Sequence, residues 1–273
     1  MSAMGTYSVV VLTLNEEKAL PACLASLGAC DDIVVLDSGS TDATVSIAQS
    51  SGARVFHRPF DDFAGQHNYA QKQIGFRHEW VFHLDADERM TPELDAECRK
   101  VIGSAELDGL RVSPKMFFEG RWIRHCTDYP AYQARFVRAP RFEFIQVGHG
   151  QREAPHMRMA NLRESYVHDL SIYGEDAWIS KHRRYARAEA QAVVGAAAGA
   201  PITQLFSRDD LIRRRALKRL SFALPFRPQL RFAYQYGFRG GFLDGKQGLR
   251  YCTLLARYEG FIAKEIANLR YAT

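Results

Sequence analysis

The sequence lacks the features that mark several large classes of protein. Its five cysteines are scattered and include no Cys-x-x-Cys pair, which argues against a disulfide framework or a zinc site and favours a reducing compartment. No run of 18 apolar residues predicts a membrane-spanning helix, and residues 1–5 do not resemble the start of a signal peptide. No P-loop or Gly-x-Gly-x-x-Gly motif is present, which disfavours ATPases and dinucleotide-binding enzymes. We therefore expect a cytoplasmic protein.

The charge is distributed unevenly along the chain. The 273 residues carry 36 Lys and Arg against 31 Asp and Glu, a net charge of +5. Residues 201–273 hold 14 of the basic and 5 of the acidic residues, so this tail is strongly basic and the rest mildly acidic. A hydrophobic content of 47% is ordinary for a globular protein, and the length suits one large domain, or a domain of about 200 residues with an appendage.

Strand and helix patterns alternate in the first half of the chain, which predicts a mostly parallel sheet. Apolar, β-branched runs predict strands at residues 7–14, 33–36, 54–56 and 80–85. Periodic apolar residues predict helices that end near Gly28 and Gly52, and helices over 66–76, 93–102 and 174–195. Beyond Gly109 we expect extended segments at 109–118, 132–137 and 142–147. A linker is predicted at 195–201.

Polar residues follow three of the predicted strands: TLNE at 13–16, DSGSTD at 37–42 and DADE at 85–88. Because the carboxyl ends of parallel strands meet at one edge of a sheet, these residues are expected to form a single ligand site. Two carboxylates in Asp-x-Asp repel each other unless a cation lies between them, and Mg²⁺ or Mn²⁺ shared with a diphosphate suits such ligands. The alternative is a solvated acidic turn before the helix that begins near Thr91.

These motifs resemble those of family 2 glycosyltransferases of the GT-A fold, in which TLNEE, DSGSTD and LDADE occur in this order and at similar spacing. Within that family the chain is most similar to bacterial lipopolysaccharide-core and surface-polysaccharide glycosyltransferases, which also share the segments at 148–153 and 240–245. The resemblance implies an α/β, GT-A (Rossmann-like) fold: a mostly parallel sheet flanked by helices, followed by a C-terminal basic, aromatic helical region.

The resemblance also implies roles for individual residues in binding the donor. The nucleotide pocket would be lined by Thr13, Asn15, Glu16, Asp37, Ser38 and Gly39. Asp37 would accept a hydrogen bond from the base, typically from uracil N3–H, and Gly39 would let the backbone pass close to the ligand. A simple helix-capping role is the alternative for Asp37, and a helix-start role is the alternative for Asn15 and Glu16.

A metal ion and a general base complete the implied site. The expected cofactor is Mg²⁺ or Mn²⁺, bound by Asp87, Asp85 and His168, with Asp85 alternatively on the ribose. Glu153 is the first candidate for the base that deprotonates the acceptor hydroxyl, and Asp128 is its rival. His149 is expected to contact the diphosphate or the acceptor, and Arg135 is expected to counter the phosphate charge. Structural roles remain open for His168, Arg135 and Glu153.

The implied organisation has three parts: a nucleotide-sugar-binding half at residues 1–110, an acceptor-binding half at 111–200 and the basic tail at 201–273. Arginine and aromatic residues alternate through the tail. This composition predicts that residues 208–262 contact an anionic membrane surface, which places the protein at the inner face of the cell membrane. Packing on the catalytic domain or on a second subunit is the alternative.

The expected function is metal-dependent, inverting transfer of a sugar from a nucleotide donor, UDP by family habit, to a lipopolysaccharide-core or lipid-linked acceptor. One alternative is a sugar-nucleotide pyrophosphorylase, which requires a glycine-rich phosphate loop that residues 14–17 do not provide. Another is a nucleic-acid-binding protein that uses the basic tail, which would leave Asp85 and Asp87 without a role. No nucleic-acid partner is therefore expected.

Overall fold

The computed structural model describes residues 5–103, 106–147, 150–195, 206–207, 213, 216, 222 and 224–271. The chain divides into two compact units. The first comprises Met1–Phe117 and Asp128–Ile172, and the second comprises Phe118–Thr127 and Tyr173–Thr273. The functional division predicted at residues 110 and 200 stays a prediction, and the predicted linker beyond Gly195 lies outside the described residues.

A seven-stranded sheet forms the centre of the first unit. Its strands are β1 (Ser8–Thr13), β2 (Ile33–Asp37), β3 (Arg54–His57), β4 (Trp80–Asp85), β6 (Gly109–Val112), β9 (Gln133–Arg138) and β12 (Met159–Asn161). The strand order is β12-β6-β9-β4-β1-β2-β3, and only β9 runs antiparallel to its neighbours. The mostly parallel α/β sheet predicted from the sequence is confirmed.

Successive apolar residues of β1 point to opposite faces of this sheet, and both faces are buried. Val9 and Val11 pack with Phe82 on one face, whereas Val10 packs with Val34 on the other. All of these side chains are fully buried. The sequence of β1 is therefore a continuous apolar run, as is usual for a central parallel strand covered on both sides.

Four helices flank the sheet: α1 (Leu20–Ala25), α2 (Thr44–Ser50), α3 (Phe63–Gln73) and α4 (Pro92–Val101). The side chain of Asp62 accepts a hydrogen bond from Gly65 N and starts α3 three residues before the predicted position. Thr91 caps α4 in the same way through Leu94 N. These two N-caps set where α3 and α4 begin.

Short strands complete the first unit. They are β5 (Glu88–Arg89), β7 (Lys115–Phe118), β10 (Phe144–Val147), β11 (Gly150–Glu153) and β13 (Val167–Asp169). Strand β13 pairs antiparallel with β5 and parallel with β7, while β10 and β11 form a separate antiparallel pair. The pairing of β13 with β5 brings a distant segment of the chain beside the Asp-x-Asp turn.

The second unit is mainly helical, as predicted for the tail. Its elements are β8 (Arg121–Trp122), α5 (Gly174–Gly195), α6 (Arg227–Phe232), a π-helix (Ala233–Phe238), a 3-10 helix (Gly241–Asp244) and α7 (Gly245–Tyr271). Helices α5 and α7 pack through Ala186, Ala190, Ile262 and Ile266, all of them buried. Within the described part of the chain, no helix has the length and hydropathy needed to cross a membrane.

Candidate active site

The carboxyl ends of β1, β2 and β4 lie side by side. In the parallel registers, Thr13 pairs with Asp37, and the preceding Leu12 pairs with Asp85. The polar segments that follow these strands therefore leave the sheet at one edge, which is where open α/β sheets bind ligands. The predicted convergence of the three segments is confirmed.

The Asp37 carboxylate organises the loop after β2. One oxygen accepts hydrogen bonds from Thr13 Oγ1 at 2.9 Å and Ser40 Oγ at 2.5 Å, and the other accepts from the backbone N–H groups of Gly39 and Ser40. Burial opposes ionisation, but these hydrogen bonds outweigh it and lower the pKa of Asp37. A nucleobase N–H would have to compete with the donors already present, so the predicted contact with the base stays a prediction.

Asn15 and Glu16 connect the loop that follows β1 to the loop that follows β2. Asn15 has a φ of +58°, an αL conformation that asparagine tolerates better than most residues, and its Oδ1 accepts a hydrogen bond from Thr41 N at 2.8 Å. The backbone N–H of Asn15 donates to Ser40 Oγ, and that of Glu16 donates to Thr44 Oγ1. Both residues therefore connect the loop after β1 to the segment after β2, and their contacts with a nucleotide stay predictions.

Ser38 and Gly39 form the open side of the same loop. Ser38 Oγ accepts a hydrogen bond from Gln66 Nε2 on α3 at 3.1 Å. Gly39 has a φ of +102°, and no atom lies within 4 Å of the position that a Cβ would occupy. The backbone therefore borders open space here, as the predicted close approach of a ligand requires.

Arg135 is the centre of a buried charge cluster next to the strand ends. Its Nη2 lies 2.8 Å from Asp85 Oδ2 and 2.8 Å from Glu88 Oε1, and its side chain is 4% exposed. Burial would raise the pKa of Asp85, but the charge of Arg135 and its hydrogen bond lower it to about 2. Burial raises the pKa of Glu88 to about 8, against the attraction of the same guanidinium. Arg135 thus holds Asp85, whose side chain is 35% exposed, ionised beside the buried Glu88.

Glu88 is a site residue to which the sequence assigned no role. It is 1% exposed, and its Oε2 accepts a hydrogen bond from the backbone N–H of Asp85 at 2.9 Å, which closes the Asp-x-Asp turn. Its position within the DADE segment was the only available indication. The sequence alone does not show whether Glu88 is buried or solvated, because that depends on where Arg135 lies in the fold.

His168 lies against the same turn because β13 pairs with β5. Its Nε2 is 3.3 Å from Asp87 Oδ2, and its Nδ1 is 3.7 Å from Glu88 Oε1. Burial would lower the pKa of His168, but the hydrogen bond to Asp87 and the charge of Asp87 raise it to about 9. The structure therefore places His168 against Asp87 and Glu88, and the predicted roles of Asp85, Asp87 and His168 as metal ligands stay predictions.

The carboxylate ligands in this cluster suit a metal ion whose remaining ligands come from the substrate. Among the described residues, no three or more His, Cys, Asp or Glu side chains are arranged to hold a metal by themselves. Two carboxylates remain partly accessible, with Asp85 35% and Asp87 26% exposed. Mg²⁺ usually takes only one or two protein carboxylates where phosphate oxygens supply the rest. These residues therefore fit a hard divalent ion bound together with a diphosphate.

The two candidate bases differ in their surroundings. Glu153, on β11, forms an ion pair with Arg111 through its Oε1, at 2.6 Å from Nε, and its side chain is 19% exposed. Asp128 is exposed and lies in the first unit. The choice between the two stays open, and His149 lies outside the described residues.

Two buried histidines connect α3 to β4. The Nδ1 atoms of His67 and His83 lie 2.7 Å apart, and His67 Nε2 lies 3.0 Å from Gln151 Nε2. Burial lowers the pKa of His67 to about 4, so the pair is neutral near pH 7. Since the Gln151 amide donates to His67 Nε2, His67 must donate through Nδ1 to His83. This chain of hydrogen bonds ties β11, which carries Glu153, to the strand that carries Asp85.

Comparison with known proteins agrees with this arrangement. Residues 8–150, just over half of the chain, match the family described as Glycosyl transferase family 2. A lipopolysaccharide core biosynthesis glycosyltransferase, LpsC of Rhizobium meliloti, is 35% identical over 119 residues, which cover 41% of this chain and 43% of LpsC. An uncharacterized glycosyltransferase of Rickettsia typhi is 33% identical over 106 residues, or 38% of this chain and 36% of that protein. The matches thus span less than half the length of these curated relatives.

A solved structure with a similar fold is the mannosyltransferase PcManGT from Pyrobaculum calidifontis, in complex with GDP-Man and Mn²⁺. It superimposes with a TM-score of 0.51 at 17% sequence identity, over 97% of this chain and 88% of that one. At this identity the likeness concerns the fold alone.

Proposed function

Because this chain belongs to glycosyl transferase family 2, we propose that it transfers a sugar from a nucleotide donor to a hydroxyl group of a saccharide acceptor. The observation that carries the proposal is the meeting of Thr13, Asp37 and Asp85 at one edge of the parallel sheet. UDP is the expected donor nucleotide from the motif resemblance. The similarity to LpsC supports an acceptor in the lipopolysaccharide core or on a lipid carrier.

The loops after β1 and β2 hold the nucleotide in this proposal. Gly39 borders open space, so the backbone at this point can approach the base or ribose closely. Asp37 keeps the loop in shape through four hydrogen bonds. Its role is then to preorganise the pocket as well as to meet the base.

Asp87 and Asp85 are the residues that would hold the divalent ion, with His168 beside them. The ion, when bound, would stabilise the negative charge of the departing diphosphate. Arg135 keeps Asp85 ionised, and Glu88 fixes the turn between the two aspartates through the backbone N–H of Asp85. The partial exposure of both aspartates leaves their oxygens accessible to the ion and the diphosphate.

The acceptor oxygen attacks the anomeric carbon as the bond from that carbon to the diphosphate oxygen breaks. The proton of the acceptor hydroxyl passes to a carboxylate, Glu153 or Asp128. Attack from the face opposite the leaving group inverts the anomeric configuration, which is the expected outcome.

We further propose that residues 208–262 associate with an anionic membrane surface and so place the enzyme beside lipid-linked acceptors at the inner face of the membrane. Part of this range lies outside the described residues. Large apolar side chains exposed in the second unit support the proposal, among them Phe226 at 74% and Phe238 at 83%.

Thermal unfolding with nucleotides tests the donor site. UDP, GDP, dTDP and CDP are each added with and without Mn²⁺ to the wild type and to Asp87→Asn. A ligand at 100 times its Kd adds about 2.7 kcal/mol, and 1 kcal/mol shifts Tm by about 2–4 °C for a domain of this size, so a rise of about 5–10 °C is expected. Asp176→Asn, the same change at an exposed helix residue of the second unit, is the matched control.

We expect a shift with one nucleotide that requires Mn²⁺, is lost in Asp87→Asn and is retained in Asp176→Asn. The absence of a shift with every nucleotide would contradict the glycosyltransferase proposal. A shift that survives Asp87→Asn with Mn²⁺ present would contradict the metal role of Asp87 while leaving nucleotide binding intact.

A further inference from the structure

Two exposed phenylalanines follow β3 at the edge of the sheet where the donor nucleotide is proposed to bind. Phe60 is 47% exposed, and Phe63, the first residue of α3, is 38% exposed. Their rings pack edge to face, with 5.1 Å between the centroids and an angle of 74° between the ring planes. Apolar residues exposed singly need no explanation, but two that pack together beside a ligand site form a candidate contact surface. We call Phe60 and Phe63 the aromatic pair.

The order of the strands places the aromatic pair next to the turn that follows β2. Strand β2 lies between β1 and β3, and Asp37 at its end is in register with His57 at the end of β3. The chain that follows β3 therefore leaves the sheet beside the turn at Gly39. Leu14, which follows β1 on the other side of β2, is 50% exposed. The open glycine turn thus has exposed apolar residues on the chain segments to either side of it.

Hydrogen bonds hold the segment with the aromatic pair against this turn. Arg58 N donates to Asp37 O at 3.0 Å. The side-chain amide of Gln66, a residue 1% exposed, donates to Ser38 Oγ at 3.1 Å and to Arg58 O at 3.1 Å. The guanidinium of Arg58 pairs in turn with both carboxylate oxygens of Asp61. The segment is therefore positioned before a ligand binds, which reduces the entropy lost on binding.

The carboxylate of Asp37 has little remaining capacity to bind a nucleobase. A carboxylate has about four lone-pair sites. Thr13 Oγ1, Ser40 Oγ and the backbone N–H groups of Gly39 and Ser40 all donate to Asp37. His57 Nδ1 lies a further 3.6 Å from Asp37 Oδ2. Affinity for the base therefore needs a contact that does not depend on this carboxylate, and a π-face is the feature that every base offers.

We propose that the base of the donor nucleotide stacks on the aromatic pair. This inference rests on the proposed function and names residues that bind the base. Stacking of a base on an aromatic side chain changes affinity by about 5- to 150-fold. Stacking tolerates any base, because it depends on the π-face and not on the pattern of hydrogen-bond donors. The aromatic pair then supplies affinity, while the polar groups of the turn select between nucleotides.

Calorimetric titration of the full chain tests the inference. The Kd of the nucleotide that gives the thermal shift, UDP by expectation, is measured with Mn²⁺ for the wild type and for the double change Phe60→Leu and Phe63→Leu. Leucine keeps an apolar side chain but has no π-face, so Kd should rise by about 5- to 150-fold. The double change Phe60→Tyr and Phe63→Tyr keeps both rings and should bind as the wild type does.

Inorganic pyrophosphate with Mn²⁺ separates the base contact from the diphosphate contact. Pyrophosphate has no base, so its Kd should be the same for the wild type and the leucine double variant. Phe206→Leu, the same change at a phenylalanine of the second unit that is 81% exposed, is the matched control and should leave both Kd values unchanged.

A tryptophan reporter measures stacking directly. Phe60→Trp places an indole in the aromatic pair, and a base that stacks on it should quench its fluorescence beyond any change seen in the wild type. The quenching should occur with the nucleotide and not with pyrophosphate, and Phe206→Trp should show none.

Weaker nucleotide binding by the leucine double variant, with pyrophosphate binding retained and the tyrosine variant unaffected, would support the inference. Unchanged nucleotide binding by the leucine variant would overturn it and leave the donor site in place. Equal losses of nucleotide and pyrophosphate binding would show that the change acts on the whole loop, and would also overturn it. Absence of nucleotide binding by the wild type would overturn both the inference and the proposed function.

Discussion

Replacing Arg135 with methionine tests whether its guanidinium is what allows Asp85 and Glu88 to lie together. Methionine is similar in length and uncharged, so both carboxylates, each 2.8 Å from Nη2, lose their cation. Removing one partner of a buried ion pair costs about 3–5 kcal/mol, because the other charge stays buried and uncompensated. At about 2–4 °C per kcal/mol, Tm should fall by about 6–20 °C.

The assay is thermal unfolding of a double-mutant cycle at about pH 9, above the pKa of about 8 of Glu88, where its carboxylate is ionised beside Arg135. Glu88→Gln keeps an acceptor for Arg135 but removes a carboxylate, so in the Arg135→Met background it should restore part of the lost stability, with a coupling of about 0.5–3 kcal/mol. Arg158→Met is the matched control, since Arg158 lies in the same unit, pairs with Asp108 and has a side chain that is 55% exposed. An exposed pair contributes about 0–1 kcal/mol. Equal Tm losses for both arginines, or strict additivity with Glu88→Gln, would refute the reasoning.

Two further predictions concern the stability of the first unit. Burial opposes ionisation of Asp32, but hydrogen bonds from Arg77 N, Ser8 Oγ and Arg54 lower its pKa. The ionised Asp32 should therefore stabilise the fold fully above the unfolded pKa of 3.8, and this stabilisation should vanish as the pH falls through the lower pKa of the folded state. In urea unfolding across that range, the free-energy gap between wild type and Asp32→Asn should close on acidification; a constant gap would contradict this. Asn15→Ala should be less stable than Asn15→Gly by about 1–2 kcal/mol, because only alanine is strained at a φ of +58°; equal unfolding free energies would place the whole effect in the lost amide.

The strands and their polar ends could be predicted because the relevant information is local. A continuous apolar run such as residues 9–12 is typical of a parallel strand that is buried on both faces of its sheet. Polar segments after parallel strands must then meet at one edge, whatever the details of packing. For this reason the joining of Thr13, Asp37 and Asp85 could be deduced, and family 2 membership follows from the same motifs.

The roles of Arg135 and Glu88 depended on contacts between residues 47 positions apart. Arg135 could be proposed for phosphate contact from sequence, but in the fold it is 3% exposed and its Nη2 contacts two carboxylates. Its counter-charge to Asp85 arises because β9 pairs with β4 in antiparallel register. No spacing rule along the chain indicates that register.

The basic tail also shows which properties follow from the sequence and which depend on the fold. Its composition predicted helices and contact with a charged surface, but composition could not say which aromatic residues pack inward. Gln235 is buried while Phe238 is 83% exposed, the reverse of what their polarities suggest.

By itself, then, the sequence determined the α/β class, the alternation of strands and helices, and the chemical groups that end the first strands, because each depends on neighbours along the chain. Only the tertiary structure decided that Arg135 neutralises Asp85, that Glu88 is buried and that His168 meets Asp87. Those arrangements depend on strand register and on burial, which set both the distances between charges and the free energy of removing each charge from water.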